Sequence, residues 1–382
     1  MIKSGNIHIR DVFLFTIVFP MCVFLLFNMW KSLSNANEVR VQLSSIGPIV
    51  TSKERFRILW YNPAVYLTVS HKDALYCGFE KCKYNNCDMT VNKSDASISQ
   101  AVIFDGRKMP KNVSFTRPNG QIWIFAAHES PISYRDTGTW WYRNKDYSFN
   151  WTMTYDKDNS DIYLPYGEIL KHKTEVIRDY KSISQKKNKT LLIIVSHCNV
   201  RSKRQEYVNK LKKYVDIEVL GLCGKKWTCG THFKHDEQCF KLLNTTFMFY
   251  LAFENAFCHQ YITEKFYDNF NYDLIMLVRG GSPGETKQIF PKGTFLSTDE
   301  FKSVEDLAHF LKHISVKTYA AYLKRKSQYY SAGYAYVYQR AMCNLCERMN
   351  HQSKYAKTIT DIKEWAFGPK PCIGPKEVTD MQ

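Results

Sequence analysis

Residues 249–270, FYLAFENAFCHQYITEKFYDNF, place polar side chains where a predicted buried strand is followed by a helix. Five of these side chains could bind a ligand: Glu254, Asn255, Tyr261, Glu264 and Lys265. Thr263 is a typical helix N-cap, so a diphosphate bound there would meet free backbone N–H groups, the positive end of the helix dipole and the ammonium group of Lys265. The pattern suggests a cradle for a nucleotide diphosphate, but local physics alone favours the simpler interpretation, in which Thr263 and Glu264 cap the helix and Lys265 is solvated.

The elements that would position this cradle form a predicted α/β unit over residues 186–350. Residues 190–198, TLLIIVSHC, are a continuous apolar run, typical of a parallel strand covered on both faces. An amphipathic helical pattern and a strand at 216–221 complete one β-α-β crossover. The second crossover has a strand at 246–254, a helix at 263–272 and a strand at 273–278. Ser303 and Asp306 then predict a capped helix. Ligands of such sheets bind beyond the carboxyl ends of the strands, where the predicted cradle lies.

A first α/β unit is predicted over residues 54–185. Its strands are expected at 55–62, 101–106 and 120–130, separated by Pro, Gly and Asn turn signals. Residues 181–190, KSISQKKNKT, are polar without apolar periodicity and are assigned to the inter-domain linker. Residues 351–382 form a C-terminal extension.

The charge of the chain suggests a phosphate-bearing or membrane partner, since 53 Lys and Arg face 36 Asp and Glu. Nucleic acid is the first candidate, but residues 12–30 give nineteen residues without a formal charge, about the length of a membrane-spanning helix. Lys3 and Arg10 precede this run and no small-residue cleavage site follows, which favours an uncleaved signal anchor over a cleaved signal peptide. Residues 1–11 would be a cytoplasmic tail, residues 31–53 a stem, and the remainder lumenal.

Sequons and cysteines support a lumenal location. The five N-x-[ST] sequons lie at Asn92, Asn112, Asn150, Asn188 and Asn244. Eleven cysteines lie beyond the anchor: Cys77, Cys82, Cys87, Cys198, Cys223, Cys229, Cys239, Cys258, Cys343, Cys346 and Cys372. Clustering of this kind suits disulfides in an oxidising lumen, and the disulfide candidates are the ten that precede Cys372. Eleven is odd, so at least one cysteine is free or pairs between chains.

Two cysteine patterns also resemble zinc sites. In CGTHFKHDEQC the spacing of Cys229, His232, His235 and Cys239 is close to that of zinc ligands, and CNLC, with Cys343 and Cys346, is half of a common zinc pair. Disulfides are favoured over zinc, because thiols in an oxidising compartment usually oxidise.

Residues 249–270 resemble the signature of the α1,3/4-fucosyltransferase family, which reads approximately F-Y-L-x-F-E-N-S, a short loop, D-Y-[IV]-T-E-K, and an aromatic with Asn. Further blocks resemble that family in the same order: RPNGQIWIFAAHESP (117–131), FNWTMTY (149–155), SDIYLPYG (160–167), SHCNVRSKRQEYVNKLKKYVDIEVLGLCG (196–224) and CNLC (343–346). The resemblance covers roughly residues 55–350, and an ordered set of this kind is highly specific. The cysteines around GLCG and at Cys258 are more similar to the invertebrate and core-type branch.

The resemblance implies a Golgi type II membrane enzyme with two Rossmann-like domains in the GT-B arrangement. Such an enzyme transfers L-fucose from GDP-fucose to a GlcNAc hydroxyl of a glycoprotein or glycan, in α1,3 linkage and with inversion. Inversion in one step needs a base on the acceptor hydroxyl and stabilisation of the departing GDP. The implied partners are GDP-fucose, a GlcNAc-containing acceptor and the Golgi membrane, and not nucleic acid.

The resemblance also assigns roles to individual residues. Glu129, in AAHESP, matches the family's catalytic base, and His128 beside it is expected to pack or orient. The positions that match GDP-fucose contacts are Arg204, Asn255, Tyr261, Glu264 and Lys265. Of these, Lys265 and Arg204 would carry the diphosphate charge, because both side chains are cations. Ala256 departs from the Ser that the family usually has.

Asp156-Lys157-Asp158 spells D-x-D, a spacing that can hold Mn²⁺ against a diphosphate. We predict no metal site there, because these aspartates belong to the first unit whereas the diphosphate is expected at Thr263 in the second. Lys157 and a nearby family Arg suggest that side-chain cations offset the phosphate charge. No divalent metal or other cofactor is therefore expected to be essential.

Two other classes of function remain open from the sequence. A catalytically inactive family member could act as a lumenal glycan-binding scaffold, and a disulfide-rich membrane protein could bind zinc. GDP-fucose hydrolysis or transfer separates the enzyme from both. The sequence leaves the acceptor open between the core GlcNAc of an N-glycan and a LacNAc-type antenna.

Overall fold

The computed structural model describes residues 55–64, 67, 78–110, 112–133, 147–226, 230–231, 234–235, 244–368 and 372–375. None of the helices formed by these residues combines the length and the apolar character needed to cross a membrane. The predicted tail, anchor and stem lie outside the described residues, as do Cys77 and the potential zinc ligands Cys229, His232 and Cys239.

The elements alternate in the order expected of an α/β chain. In chain order the strands are β1 (Phe56–Trp60), β2 (Cys87–Thr90), β3 (Ala101–Asp105), β4 (Ile122–Ala127), β5 (Trp151–Thr154), β6 (Ile162–Tyr163), β7 (Glu168–Lys171), β8 (Lys189–Ile194), β9 (Ile217–Leu220), β10 (Gly230–Thr231), β11 (Lys234–His235), β12 (Phe247–Phe253), β13 (Ile275–Arg279), β14 (Phe295–Ser297) and β15 (Tyr329–Ala332). The α-helices are α1 (Tyr180–Gln185), α2 (Arg204–Leu211), α3 (Glu264–Tyr267), α4 (Thr286–Ile289), α5 (Val304–His313), α6 (Val316–Lys326), α7 (Tyr334–Asn350) and α8 (Ile362–Phe367).

The first sheet is parallel throughout, in the order β2-β1-β3-β4-β5-β6. Its central strand β3 is buried at every position, as a parallel strand covered on both faces must be. The predicted strands at 55–62, 101–106 and 120–130 correspond to β1, β3 and β4, while β2, β5 and β6 were not predicted. Glu129 follows the carboxyl end of β4.

The second sheet is also parallel, in the order β14-β13-β12-β8-β9. It starts at β8, grows first to β9, and then continues on the other side of β8 with β12, β13 and β14. The direction of growth therefore reverses between β8 and β12, which makes their carboxyl ends the topological switch point where ligands of such sheets bind. The predicted parallel α/β unit is confirmed, and Ser303 caps α5 by accepting a 3.0 Å hydrogen bond from the Asp306 N–H.

Two predicted boundaries differ from the structure. Part of the expected linker forms α1, because Asp179 caps this helix through the Ser182 N–H (3.0 Å) and Tyr180 is buried in the core of the second sheet. The helix predicted over 263–272 is only four residues long as α3 and then gives way to turns.

Helix α7 packs on the first sheet, although its residues follow the second sheet in the chain. Tyr338 and Leu345 are fully buried with Trp60 in one hydrophobic cluster, and the Trp60 Nε1 donates to the Tyr338 hydroxyl at 2.9 Å. Residues 334–350, which the sequence assigns to the second unit, therefore complete the core of the first sheet.

Two disulfides link helix α7 to the part of the chain that forms the first sheet. The described pairs are Cys82–Cys343, Cys87–Cys346, Cys198–Cys223 and Cys258–Cys372. The two cysteines of CNLC are therefore oxidised to separate partners on the first sheet, so that the alternative reading of this pair as half of a zinc site is wrong. Cys372, which is not among the predicted disulfide cysteines, pairs with Cys258.

The sequon asparagines differ in their surroundings. Those with exposed side chains are Asn92, Asn112 and Asn188. The Asn150 amide is engaged at both ends, since its oxygen accepts from the Trp123 N–H (2.9 Å) and its nitrogen donates to the Lys357 carbonyl (3.1 Å). The Asn244 side-chain oxygen accepts from the Asp273 N–H. Exposure therefore favours the first three as acceptors of glycan.

Candidate active site

Glu129 lies just beyond β4 and meets groups from both sheets. Its side chain is 30% exposed, and Oε1 lies 3.5 Å from Nη1 of Arg107 on the first sheet. Its Oε2 accepts a 2.8 Å hydrogen bond from the hydroxyl of Tyr261, which belongs to the loop after β12. The carboxylate is thus oriented from two sides while part of it stays open to solvent.

Tyr261 is held in an aromatic cluster and is almost fully buried. Its ring lies 5.0 Å from that of Tyr155 and 6.2 Å from that of Tyr166, which in turn stacks on His128 at 3.9 Å. Burial, with the nearby charge of Glu129 adding to it, raises the pKa of Tyr261 well above its ordinary value. Tyr261 therefore remains a hydroxyl donor at physiological pH.

Glu254 is entirely buried and organises the start of α3. Its carboxylate accepts from the Thr263 N–H (2.8 Å) and from the Thr263 hydroxyl (3.0 Å). Thr263 stands at the predicted N-cap position, but its side chain makes no capping hydrogen bond because its hydroxyl is turned to Glu254. The predicted cradle consequently has a one-turn helix behind it, so the helix dipole contributes little there.

Lys265 lies between two carboxylates. Its Nζ is 3.4 Å from Glu254 Oε2 and 3.1 Å from Glu264 Oε1. Burial lowers the pKa of Lys265, but attraction to these two carboxylates outweighs burial and holds the pKa above its ordinary value. Burial likewise raises the pKa of Glu254, and Lys265 offsets this in part. The structure thus brings Glu254, Glu264 and Lys265 into one charged cluster whose cation stays protonated.

Arg204 hydrogen-bonds to the backbone at the carboxyl ends of both β12 and β8, the two strands of the switch point. The side chain is buried, and it donates to the carbonyls of Phe253 at the end of β12 (3.0 Å) and His197 after β8 (2.7 Å). Burial lowers the pKa of Arg204, and its Nε makes no hydrogen bond within the described residues. In this arrangement the guanidinium fixes the carboxyl ends of β8 and β12 relative to each other.

A cavity of about 910 Å³ opens at this switch point. It is lined by residues from the segment 197–206 after β8, by Asn255 and Ala256 after β12, and by 130–133 of the first sheet, next to Glu129. Arg201 and Lys203 bring two cations to its wall. Among the predicted donor-binding residues Asn255 lines the cavity, and its Oδ1 is buried without a hydrogen-bond partner in the described part of the chain. A polar atom of that kind fits a ligand that supplies a donor.

The D-x-D residues contact the loop of the second sheet, which the sequence did not predict. The Lys157 N–H donates to Gln260 Oε1 at 2.9 Å, so the expected separation of this loop from the second unit is wrong. Asp156, Asp158 and His259 place ligating atoms within 4.8 Å of one another and are the residues that could hold a divalent cation.

The two ring nitrogens of His259 are already engaged by carboxylates. Nε2 lies 2.8 Å from Asp158 Oδ2, and Nδ1 lies 2.5 Å from Glu285 Oε1. The neighbouring Gln260 has a left-handed backbone (φ 54°), and its N–H donates to Glu285 at 2.8 Å. This latch, formed by Asp158, His259, Gln260 and Glu285, immediately precedes Tyr261. The sequence did not predict this latch, although His259 and Gln260 lie within the motif at residues 249–270.

Two family models match the chain. "Fucosyltransferase, N-terminal" matches residues 53–167, and "Glycosyltransferase family 10 (fucosyltransferase) C-term" matches residues 184–365. The two matches contain both sheets, Glu129 and the motif at 249–270.

Named relatives match over most of the chain. The glycoprotein 3-alpha-L-fucosyltransferase A of Drosophila melanogaster is 28% identical over 299 residues, which cover 76% of this chain and 56% of that protein. The alpha-(1,3)-fucosyltransferase C of the same organism is 29% identical over 323 residues, covering 78% and 71%. The chain thus spans little more than half the length of the first relative. A crystal structure of an alpha1,3-fucosyltransferase aligns with a TM-score of 0.47 at 12% identity, covering 74% of this chain and 83% of that one.

Proposed function

Because the chain belongs to glycosyltransferase family 10, the fucosyltransferases, we propose that it transfers L-fucose from GDP-fucose to a GlcNAc hydroxyl of a glycan. The product would be an α1,3 linkage, in agreement with the names of its relatives. The observation that carries the proposal is the position of Glu129, a partly exposed carboxylate beside the cavity and oriented by Tyr261.

The geometry supports a one-step inverting reaction. Glu129 removes the proton from the acceptor hydroxyl, and the oxygen attacks the anomeric carbon of fucose from the face opposite to GDP. The bond from that carbon to the phosphate oxygen breaks, and GDP departs with the electron pair. A positioned base and stabilisation of the leaving diphosphate are the two requirements of such a step.

The leaving group would be stabilised from the second sheet. Arg201 and Lys203 line the cavity, and Lys265, in the signature motif that also supplies Asn255, remains an ammonium. The buried Oδ1 of Asn255 suits a hydroxyl of the ribose or of the sugar. Cations of this kind can offset diphosphate charge without a metal, so we propose that no divalent ion is essential.

We also propose that the two parallel sheets form a GT-B arrangement. Its support is that residues after the carboxyl ends of β4, β8 and β12 line one cavity, among them Ser130, the neighbour of Glu129, and Asn255. The return of α7 to the first sheet links the two halves a second time.

For the location we propose the Golgi lumen, with residues 12–30 as a type II signal anchor. Four disulfides among the described cysteines support an oxidising compartment. The acceptor is a GlcNAc-containing glycan, either the N-glycan core or a LacNAc-type antenna.

The test uses the full-length protein, produced in a secretory host and purified in detergent. It is incubated with GDP-fucose on a glycan array, and the linkage of each product is determined by mass spectrometry. We expect fucose on GlcNAc and the release of one GDP for each transfer. Glycan binding without transfer or GDP release would instead support the inactive scaffold.

A further inference from the structure

The cavity wall includes residues that lie beyond the family match. The family model ends at residue 365, yet Cys372, Ile373 and Gly374 line the cavity together with 130–133 of the first sheet and Asn255. This short stretch of the C-terminal extension is therefore part of the candidate site and is not provided by the matched part of the chain.

The extension is fastened to the second sheet within the signature motif. Cys372 forms a disulfide with Cys258, and the N–H of Ile373 donates to the carbonyl of Phe257 at 2.8 Å in an antiparallel bridge. Phe257 and Cys258 directly follow Ala256, which lines the cavity. The position of Ile373 is thus tied to the strand exit that presents Asn255.

The extension is also fastened to the first sheet. In α8, Ile362 is fully buried, and the ring of Trp365 lies 5.8 Å from that of Phe125. The Trp365 Nε1 donates to the Asn159 carbonyl at 3.1 Å. Ala366, the next residue, lines the cavity as well, so both ends of this part of the extension are held by packed structure.

We infer that Ile373 is a specificity-determining residue that contacts the nucleoside half of the donor, and that the Cys258–Cys372 disulfide is its positioning element. The inference rests on the function proposed above. Ile373 is 38% exposed on the cavity side and is not a core residue, so its methyl groups are available to a ligand. The nucleobase is the part of GDP-fucose best suited to an aliphatic wall, since packing its flat face against methyl groups removes apolar surface from water.

The charge distribution in the cavity agrees with this orientation. Arg201 and Lys203, which suit phosphates, both belong to the stretch 197–206. That stretch also contributes Val200 and the carboxylate of Glu206, whereas the aliphatic Ile132 and Ile373 come from other segments. A nucleoside diphosphate has the same division between a charged part and a flat apolar part. The cavity is therefore expected to discriminate the nucleoside through the extension and the diphosphate through the second sheet.

The test measures the binding of GDP to the full-length protein by calorimetry, without an acceptor. Ile373→Ala is expected to weaken GDP binding about three- to tenfold, as loss of a partly buried aliphatic contact predicts. Cys372→Ser should weaken it as well. The control Ile289→Ala removes an isoleucine of the same 38% exposure that does not line the cavity, and it should bind GDP as the wild type does.

A purely structural role for the extension predicts a different result. In that case Cys372→Ser and Ile373→Ala lower the melting temperature but bind GDP with wild-type affinity, which would overturn the inference. Because Ile373 is partly exposed, its alanine variant is expected to fold even where the cysteine variant does not. Wild-type protein that binds no GDP would overturn the proposed function and this inference together, whereas equal binding by wild type and variants overturns this inference only.

Discussion

The hydroxyl of Tyr261 donates a 2.8 Å hydrogen bond to Glu129 Oε2, which joins a residue of the second sheet's signature loop to the candidate base of the first sheet. The resemblance to the family implies that Tyr261 contacts the donor. In the structure, the hydroxyl of Tyr261 faces the base. Tyr261 can therefore orient the carboxylate of Glu129 from the second sheet. The position of the base then depends on how the loop after β12 is held.

The first prediction concerns the base itself. Glu129→Gln keeps an oxygen that can accept from Tyr261 but removes the ability to take a proton. We expect transfer to fall about 10²- to 10⁴-fold, the contribution of a positioned base, while GDP-fucose binding persists. Turnover is measured with saturating acceptor, and binding by calorimetry.

The control for this prediction is Glu305→Gln. Glu305 accepts a 3.0 Å hydrogen bond from Tyr214 on the surface, so it reproduces the Tyr–Glu pair outside the cavity. Near-normal turnover of Glu129→Gln, equal to that of the control, would remove Glu129 from the mechanism.

The second prediction concerns Tyr261→Phe. Because a hydrogen bond to a charged group contributes about 1.5 kcal/mol or more, we expect kcat to fall about tenfold with little change in the KM for GDP-fucose.

The matched control is Tyr214→Phe, which should leave the kinetics unchanged. In addition, Tyr261→Phe should have no further effect in the Glu129→Gln background if the two residues act through each other. A rise in the KM for GDP-fucose at unchanged kcat would show that Tyr261 serves the donor and not the base.

The third prediction concerns the stability that Lys265 provides. Lys265→Ala leaves the fully buried Glu254 without its cation, 3.4 Å away in the wild type. Breaking a buried pair in this way costs about 3–5 kcal/mol in the free energy of unfolding. The surface control Lys287→Ala, which breaks a 3.9 Å pair between the half-exposed Lys287 and Glu300, should cost about 0–1 kcal/mol.

The loss of stability in Lys265→Ala should depend on pH. Burial already raises the pKa of Glu254, and removal of Lys265 raises it further. A carboxyl with a raised folded pKa binds more protons when folded than when unfolded, so the destabilisation shrinks as pH falls from neutral through that folded pKa. Urea denaturation at several pH values measures this, and a deficit independent of pH would contradict the buried-charge explanation.

The sequence predicted the sheets well because their central strands are continuous apolar runs. Strands β3 and β12 are buried along most of their length and β8 at its three residues 191–193, and such runs are visible without any tertiary information. Helix capping was also predicted correctly from the local sequence, as for Ser303 at the start of α5. The length and capping of α3 were predicted less well. The N–H of Thr263 donates to Glu254, nine residues earlier in the chain, and local sequence does not indicate this contact.

Contacts between distant segments could not be read from the sequence. Glu129 and Tyr261 were both singled out, but their hydrogen bond joins positions 132 residues apart and depends on how the two sheets pack. The same holds for Cys343, which pairs with Cys82 across 261 residues because α7 returns to the first sheet. The spacing of the two cysteines within CNLC does not predict that α7 packs on the first sheet.

The last prediction concerns metal dependence. Asp156, Asp158 and His259 are close enough to share a divalent cation, and carboxylate and imidazole ligands suit Mn²⁺ or Zn²⁺. In the latch, however, both His259 nitrogens face carboxylates, with Asp158 at 2.8 Å and Glu285 at 2.5 Å. These two contacts tie Asp158 and Glu285 to His259, the residue that precedes Gln260 and Tyr261.

We therefore expect the latch to act as a contact that positions Tyr261, and not as a metal centre. The purified protein should keep most of its activity in excess EDTA. Asp158→Asn, which retains the shape of the side chain but removes its negative charge beside His259, should lower kcat to an extent that added Mn²⁺ does not change. Activity is measured with and without EDTA, and Asp88→Asn, which removes the charge of an exposed carboxylate paired with Arg55 away from the latch, serves as the control. Complete loss of activity in EDTA, restored by Mn²⁺ in the wild type but not in Asp156→Ala or Asp158→Ala, would instead make this cluster a metal site.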